Sequence, residues 1–314
     1  MKNEQNKGYI MVLAAGSLWG TIGLFATLLS GMGFSAEPVA LFRMLSATLM
    51  LALIMLVKGR GTRLFRISRK GLISCMLVGF ISQALYNVCY MHTIEQGGLA
   101  TASVFLYTSP VYVALISGIF FHEPLTRNKI IAIIINIAGC ILTVTGGDFR
   151  DMNISGFGII MGILSGLTYA LLPVFSRTGA DKEDPFTASF YGQAFGALLL
   201  ILLIRPWNGI GAPITLPVIL TFLGFGIVPS AMGYIVYYSG ISKITETSVI
   251  PILASVETVV AAIIGLIVFG QGLGIAKIAG IALVLISIAV MNLRKTSQLN
   301  QLTEPTVQAP HDQL

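Results

Sequence analysis

Long apolar stretches, separated by short polar ones, run the length of this chain. Ten are recognised, at residues 9–29, 37–57, 71–91, 99–121, 128–146, 156–176, 186–204, 216–239, 247–269 and 275–293. A helix needs about 20 mostly apolar residues to cross the hydrocarbon core of a bilayer, and each stretch is close to that length. Their apolar residues fall on nearly every side rather than alternating, which excludes barrel strands. The pattern predicts an all-α integral membrane protein with ten transmembrane helices. The connections are short and leave no room for a soluble domain. Residues 296–314 are polar, contain Pro305 and Pro310 and lack periodicity, so a disordered tail is expected there.

Composition agrees with the pattern. Hydrophobic residues make up 55% of the chain and charged ones only 10%, with mean hydropathy +0.86. Soluble domains carry about 25% charged residues. The cysteines Cys75, Cys89 and Cys140 lie inside apolar runs without CxxC spacing, and read as small hydrophobes rather than a disulfide or metal framework. The N-terminal MKNEQNKGYI leads straight into a long span with no small-residue cleavage site, so a removable signal peptide is not expected.

Charge assigns the sides. With the N-terminus inside, fifteen Lys and Arg fall in inner segments and three (Arg150, Arg205, Lys277) in outer ones, leaving Arg43 in the membrane. Positive charge favours the cytoplasmic side, so both termini are expected in the cytoplasm of a cell-membrane protein. The same bias accounts for the net charge of +6 without a nucleic-acid partner. The basic cluster KGRGTRLFRISRK (58–70) reads first as a topology signal, and second as a contact for anionic headgroups.

The chain repeats itself. At a constant offset of 148, Gly8 meets Gly156, Ser17 meets Ser165, Leu24 meets Leu172, Tyr86 meets Tyr234, Tyr90 meets Tyr238, Phe121 meets Phe269, Leu125 meets Leu273 and Lys129 meets Lys277. Two units are expected, 8–146 and 156–293. Each holds five spans, an odd number, so the second must enter the bilayer from the opposite side. Inverted repeats of this kind build many secondary transporters, with a midplane site between the halves.

Three features carry a family resemblance: Arg43 in EPVALFRMLSA, the HEPLT at 122–126 closing the fourth span, and Glu257 in SVETVVAAIIG. The chain resembles the drug/metabolite transporter superfamily, in the branch with two EamA domains, over roughly residues 8–293. The resemblance implies a carrier of small metabolites such as amino acids, sugars or amines, with export favoured. The second copy departs from the pattern: GQGLG (270–274) puts Gln271 opposite Glu123, so Glu123 is expected only to cap or anchor a helix end.

Candidate substrate-binding residues sit inside the spans. Gln83, Tyr86, Asn87 and Tyr90 share one helix face at i, i+3, i+4 and i+7. Tyr234 and Tyr238 repeat part of that stripe, so tyrosines are expected on both walls of a central cavity; interhelical packing is the competing reading. Trp19 and Tyr107 lie mid-span, away from the interfaces that aromatics prefer; Tyr169 and Tyr191 are weaker candidates. Arg43 and Glu257 are the two deep charges, and ionisable groups in a span mark function by default. They pair with each other, or bind the carboxylate and ammonium of a substrate, or Glu257 carries a proton. Pro110, Pro173, Pro229 and Pro251 interrupt spans and mark hinges or packing kinks.

The sequence holds no catalytic set, no metal-ligand cluster and no cofactor motif. His92, His122 and His311 are scattered. The expectation is therefore a secondary transporter for an amino acid or amine, working by alternating access, with protons as a candidate coupling ion. The alternative substrate is an organic cation or quaternary amine. The alternative class is a channel-like or receptor protein, which would not need inverted halves. A dianionic phosphate substrate is disfavoured, because Arg43 is the lone deep cation. Nothing in the sequence fixes the oligomeric state.

Overall fold

The computed structural model describes residues 2–57, 61–150, 154–204 and 213–303. Among the described residues, eight helices are long and apolar enough to cross a membrane, and Ser109–Phe120 and Ile275–Met291 are shorter apolar helices. They sort into ten spans. The first is broken in two, Lys2–Trp19 and Ile22–Gly31. The second is Ala36–Val57. The third begins at Arg69–Leu77 and passes through a π-helical segment, Val78–Leu85, into Tyr86–Leu106. Gly98, at φ 78°, turns the chain inside that last helix and separates the third span from the fourth. The fourth breaks again at Tyr107 and Thr108 and continues as Ser109–Phe120.

Spans five, six and seven are Arg127–Thr145, Gly156–Ser176 and Pro185–Leu203. The eighth is Leu216–Phe225, a second π-helical segment Gly226–Met232, and Gly233–Ile241. The ninth comprises Thr247–Val249, Ile250–Ala254 and, after a bend at Ser255, Val256–Phe269. The tenth, Ile275–Thr303, runs eight residues into the stretch expected to be a disordered tail; residues 304–314 of that stretch lie outside the described residues.

Several starts are written in the sequence. Ser68, Thr126, Ser155 and Asp184 each accept a bond from a backbone N–H two or three residues on, satisfying donors that a helix N-terminus leaves open.

Exchanging the halves leaves the packing pattern unchanged. Span one lies against eight and nine, as six lies against three and four. Span two packs on seven and eight, as seven packs on two and three. Five packs on ten, where Gly139 and Gly280 bring the two backbones together. Irregularities repeat too. The π-helical segments start at 78 and 226, 148 apart. The break after Tyr107 matches the bend at Ser255. His122 (φ 55°) and Gly270 (φ 63°) take the same left-handed turn. With five spans per half, equivalent spans cross in opposite directions.

Large apolar residues such as Leu53, Leu115, Ile134, Ile160, Leu202 and Ile267 are exposed around the outside, as lipid contact requires. Between the halves lies an apolar cluster that includes Val12, Cys75, Val78, Cys140, Tyr237 and Leu253. The three cysteines are free and buried.

Candidate functional site

Glu257 is positioned by a break. Asn136, on span five, donates to Ser255 Oγ at 2.6 Å and to Ser287 Oγ at 2.9 Å, tying the bend of span nine to spans five and ten. The helix restarts at Val256, with Glu257 in its first turn. A helix N-terminus carries partial positive charge, which suits a carboxylate there. Gly20, at the break of span one, presses on this turn: a Cβ added to it would lie 2.8 Å from the Glu257 carbonyl oxygen and 2.6 Å from Val260 Cβ.

Tyrosines from four other spans stand around that carboxylate. Tyr86 and Tyr90 (span three), Tyr107 (four), Tyr169 (six) and Tyr234 (eight) are all within its electrostatic range. Tyr86 stacks on Tyr90 with centroids 5.5 Å apart and meets Tyr169 at 5.3 Å. Trp19, the last residue before the break of span one, packs on Tyr234 at 5.2 Å and on Tyr237 at 5.1 Å. Glu257 forms no hydrogen bond or ion pair with any described residue. Glu257, Tyr86, Tyr90, Tyr107 and Tyr169 are half-buried rather than sealed in the core.

Arg43 lies across Tyr86 and Tyr234 from that group, within electrostatic range of both. It is only 7% exposed. Its Nη1 donates to Ser230 Oγ at 3.2 Å, and Ser230 donates to Phe225 O, five residues back along the π-helical segment. The guanidinium also sits 5.6 Å from the Phe225 ring centroid. No ion pair joins Arg43 to Glu257. The second copy has no counterpart. Tyr191 occupies the equivalent position and donates to Phe65 O at 2.9 Å, and Ser82, equivalent to Ser230, has a buried hydroxyl without a partner.

The other sequence candidates fall into two sets. Gln83 donates its amide to the Tyr234 hydroxyl, Asn87 donates to Gln83 O at 2.6 Å, and Tyr90 bonds Ser103 at 3.1 Å. These join the group around Glu257. Tyr238 does not: it is 1% exposed and packs on Tyr237 in the apolar cluster. The reason is the opposed direction of spans three and eight. One turn beyond Tyr86 leads toward one end of the molecule, and one turn beyond Tyr234 leads toward the other, which is sealed. Tyr169, rated weaker from sequence, is central here. Ser230 and Ser255 are of a residue type common in spans and carry no signal in the sequence, whereas Asn136, an asparagine mid-span in INIAGC, is rare enough to stand out. Among the described residues, no group of three or more His, Cys, Asp or Glu could hold a metal.

Two related helical halves with charged and polar side chains held between their spans fit a multi-pass membrane protein of the transporter class. The sequence profile of the EamA-like transporter family matches residues 6–145 and again 156–293, and the chain belongs to that family. It is 28% identical to an uncharacterised transporter of Archaeoglobus fulgidus, covering 64% of this chain and 70% of the relative. It is 24% identical to the uncharacterised inner membrane transporter YicL of Salmonella typhimurium, covering 91% and 95%. It is 28% identical to the pseudopaline exporter CntI of Pseudomonas aeruginosa, covering 62% and 64%. A solved crystal structure with 16% identity superposes at TM-score 0.73, covering 95% of this chain and 99% of that one, and shares the fold.

Proposed function

We propose that the protein is a secondary transporter of the cytoplasmic membrane, with both termini in the cytoplasm, that exports a small amino acid or amine by alternating access. The observation that carries this reading is the unpartnered carboxylate of Glu257 among tyrosine rings from both halves. An ammonium group would find there a full negative charge and ring faces, each favourable for a cation. An amino-acid carboxylate would reach the Tyr234 hydroxyl, whose own proton is free because it accepts from Gln83, and the field of Arg43 behind it. The tyrosines and the tight helix contacts have no use in a channel, which needs no second state. Export rests on the family resemblance and on the printed name of one relative, a pseudopaline exporter.

A second reading, an organic cation without a carboxylate, is favoured by the engagement of Arg43 with Ser230 and Phe225. In both readings Glu257 is the candidate site for an exchanged proton. The test is a thermal-shift screen of the purified protein against amino acids, amines, quaternary amines and sugars, followed by counterflow of the hits in proteoliposomes. Binding to the folded state raises its apparent melting temperature. Stabilisation by amines or amino acids, lost in Glu257→Gln, is expected; stabilisation by sugars alone would overturn the reading.

A further inference from the structure

Two carboxylates bridge the halves, and both do so at the end of the molecule that carries the N-terminus. Glu123, from the loop after span four, accepts from the backbone N–H of Thr247 at 2.6 Å, the N–H of Ser248 at 3.1 Å and the Ser248 hydroxyl at 2.7 Å. It thereby caps span nine of the other half. Glu183, from the loop after span six, accepts from Ser68 N at 3.3 Å and Ser68 Oγ at 2.5 Å, at the start of span three. The two caps are reciprocal across the halves. Beside them Lys129 pairs with Glu246 at 3.1 Å, and Lys243 with Glu4 at 2.9 Å.

Among the described residues, the opposite end lacks this chemistry. At the offset of 148, Glu123 becomes Gln271, Glu246 becomes Gly98, Thr247 becomes Leu99 and Ser248 becomes Ala100, while Lys129 remains as Lys277. The loop backbone is nonetheless the same: Glu123 N bonds Ser117 O at 3.2 Å, and Gln271 N bonds Gly265 O at 3.0 Å. What differs is closure. Thr247 is fully buried, whereas Leu99 is 62% exposed. The Gln271 side chain folds back on its own span at Gly265 and reaches no donor of span four. Among the described residues, a side-chain bond that crosses the halves at that end is Ser155 to Gln96, at 2.7 Å.

Burying a helix N-terminus leaves N–H donors that need an acceptor, and a carboxylate also answers the positive end of the helix dipole. Closing the N-terminal end is therefore satisfied by Glu123. Closing the far end in the same way would bury the start of span four against a neutral amide. We infer that Glu123, assisted by Glu183 and the Lys129–Glu246 pair, is the latch of one gate of the transport cycle, and that Gln271 leaves the other gate unlatched, so the resting protein stands open at the far end. The inference rests on the alternating-access reading.

The test measures both gates without a substrate, so failure of the substrate assignment would leave it readable. Spin labels are placed on exposed positions of the full-length protein in nanodiscs: Leu125 and Ser242 across the N-terminal end, Glu95 and Gly272 across the far end. Distances are read by pulsed electron resonance. Glu123→Ala should raise, by about tenfold, the population with the first pair apart and the second pair together, the scale of losing a charged hydrogen-bonded group. Gln271→Glu, on an exposed loop with Glu123 intact, should raise the same population by supplying an acceptor for span four. Unchanged distributions in Gln271→Glu, or a first pair that separates in Glu123→Ala while the second stays fixed, would overturn the latch.

Discussion

Gln83 of span three donates its amide to the hydroxyl of Tyr234 on span eight, and Tyr234 is within electrostatic range of both Arg43 and Glu257. One bond between the halves thus ends on a neighbour that the two deep charges share, as they also share Tyr86. Tyr234→Phe removes its acceptor and strands a Gln83 amide that is 2% exposed. A loss of about 1–3 kcal/mol is expected. Adding Gln83→Leu should recover part of it, which a double-mutant cycle on thermal unfolding in detergent would read.

Glu257→Gln removes a charge that has no partner to strand, so thermal stability should hold or rise. Amine transport should fall at least about tenfold, the scale of one charge-assisted hydrogen bond. Counterflow and melting curves on the same preparation separate the two effects. Equal loss of fold and transport would make Glu257 a structural residue.

Arg43 is held by a hydroxyl and a ring rather than by a carboxylate. Arg43→Gln should therefore weaken amino-acid transport while sparing a substrate that is only cationic; equal loss of both would end the carboxylate role. Arg43→Lys should not restore amino-acid transport, because an ammonium lacks the planar fork.

Glu123 predicts a pH dependence. Burial pushes its carboxyl up, but donation from Ser248 and Thr247 outweighs burial and holds it below its ordinary value of 4.5. Its contribution to stability is then present above about pH 4.5 and is lost as pH falls through the lowered folded value. Melting temperatures of wild type and Glu123→Gln should converge as pH drops below that point, and differ above it.

Gly139 and Gly280 set the distance between spans five and ten. A Cβ at Gly280 would lie 2.5 Å from Thr143 N and 2.7 Å from Gly139 O, both backbone atoms that cannot turn aside. Gly280→Ala should cost about 1–3 kcal/mol by overpacking, measured as a lowered melting temperature. Gly272→Ala, in open space, is the control.

Much of this was legible in the chain because lipid imposes simple rules. Apolar length located the ten spans, although the first helix begins at Lys2 rather than at 9 and the last runs to Thr303 rather than to 293, and one offset located the internal symmetry. Tyr86, Tyr90 and Glu257 could be singled out as candidates because polar groups are scarce in spans. Their grouping could not, because it depends on where helices break. Nothing in SVETVV says that span nine bends at Ser255, nor that Asn136, 119 residues earlier, fixes the bend. Tyr238 misled for the opposite reason. Its spacing from Tyr234 copies Tyr86 and Tyr90, and spacing carries no record of which end of the molecule is shut. The fate of Arg43 depended on Ser230, a residue type too common in membrane helices to stand out.

Each half places one π-helical segment just ahead of a tyrosine within range of Glu257, Val78–Leu85 adjoining Tyr86 and Gly226–Met232 ending two residues before Tyr234. A π turn holds one residue more than an α turn, and a residue of α-helix is worth about 100° of rotation. Excising a single amino acid from either segment would let it relax into regular helix and swing everything downstream by that angle. Tyr86 or Tyr234 would then point elsewhere with its sequence neighbours intact, so the aim of these two rings is set by a surplus of one residue upstream.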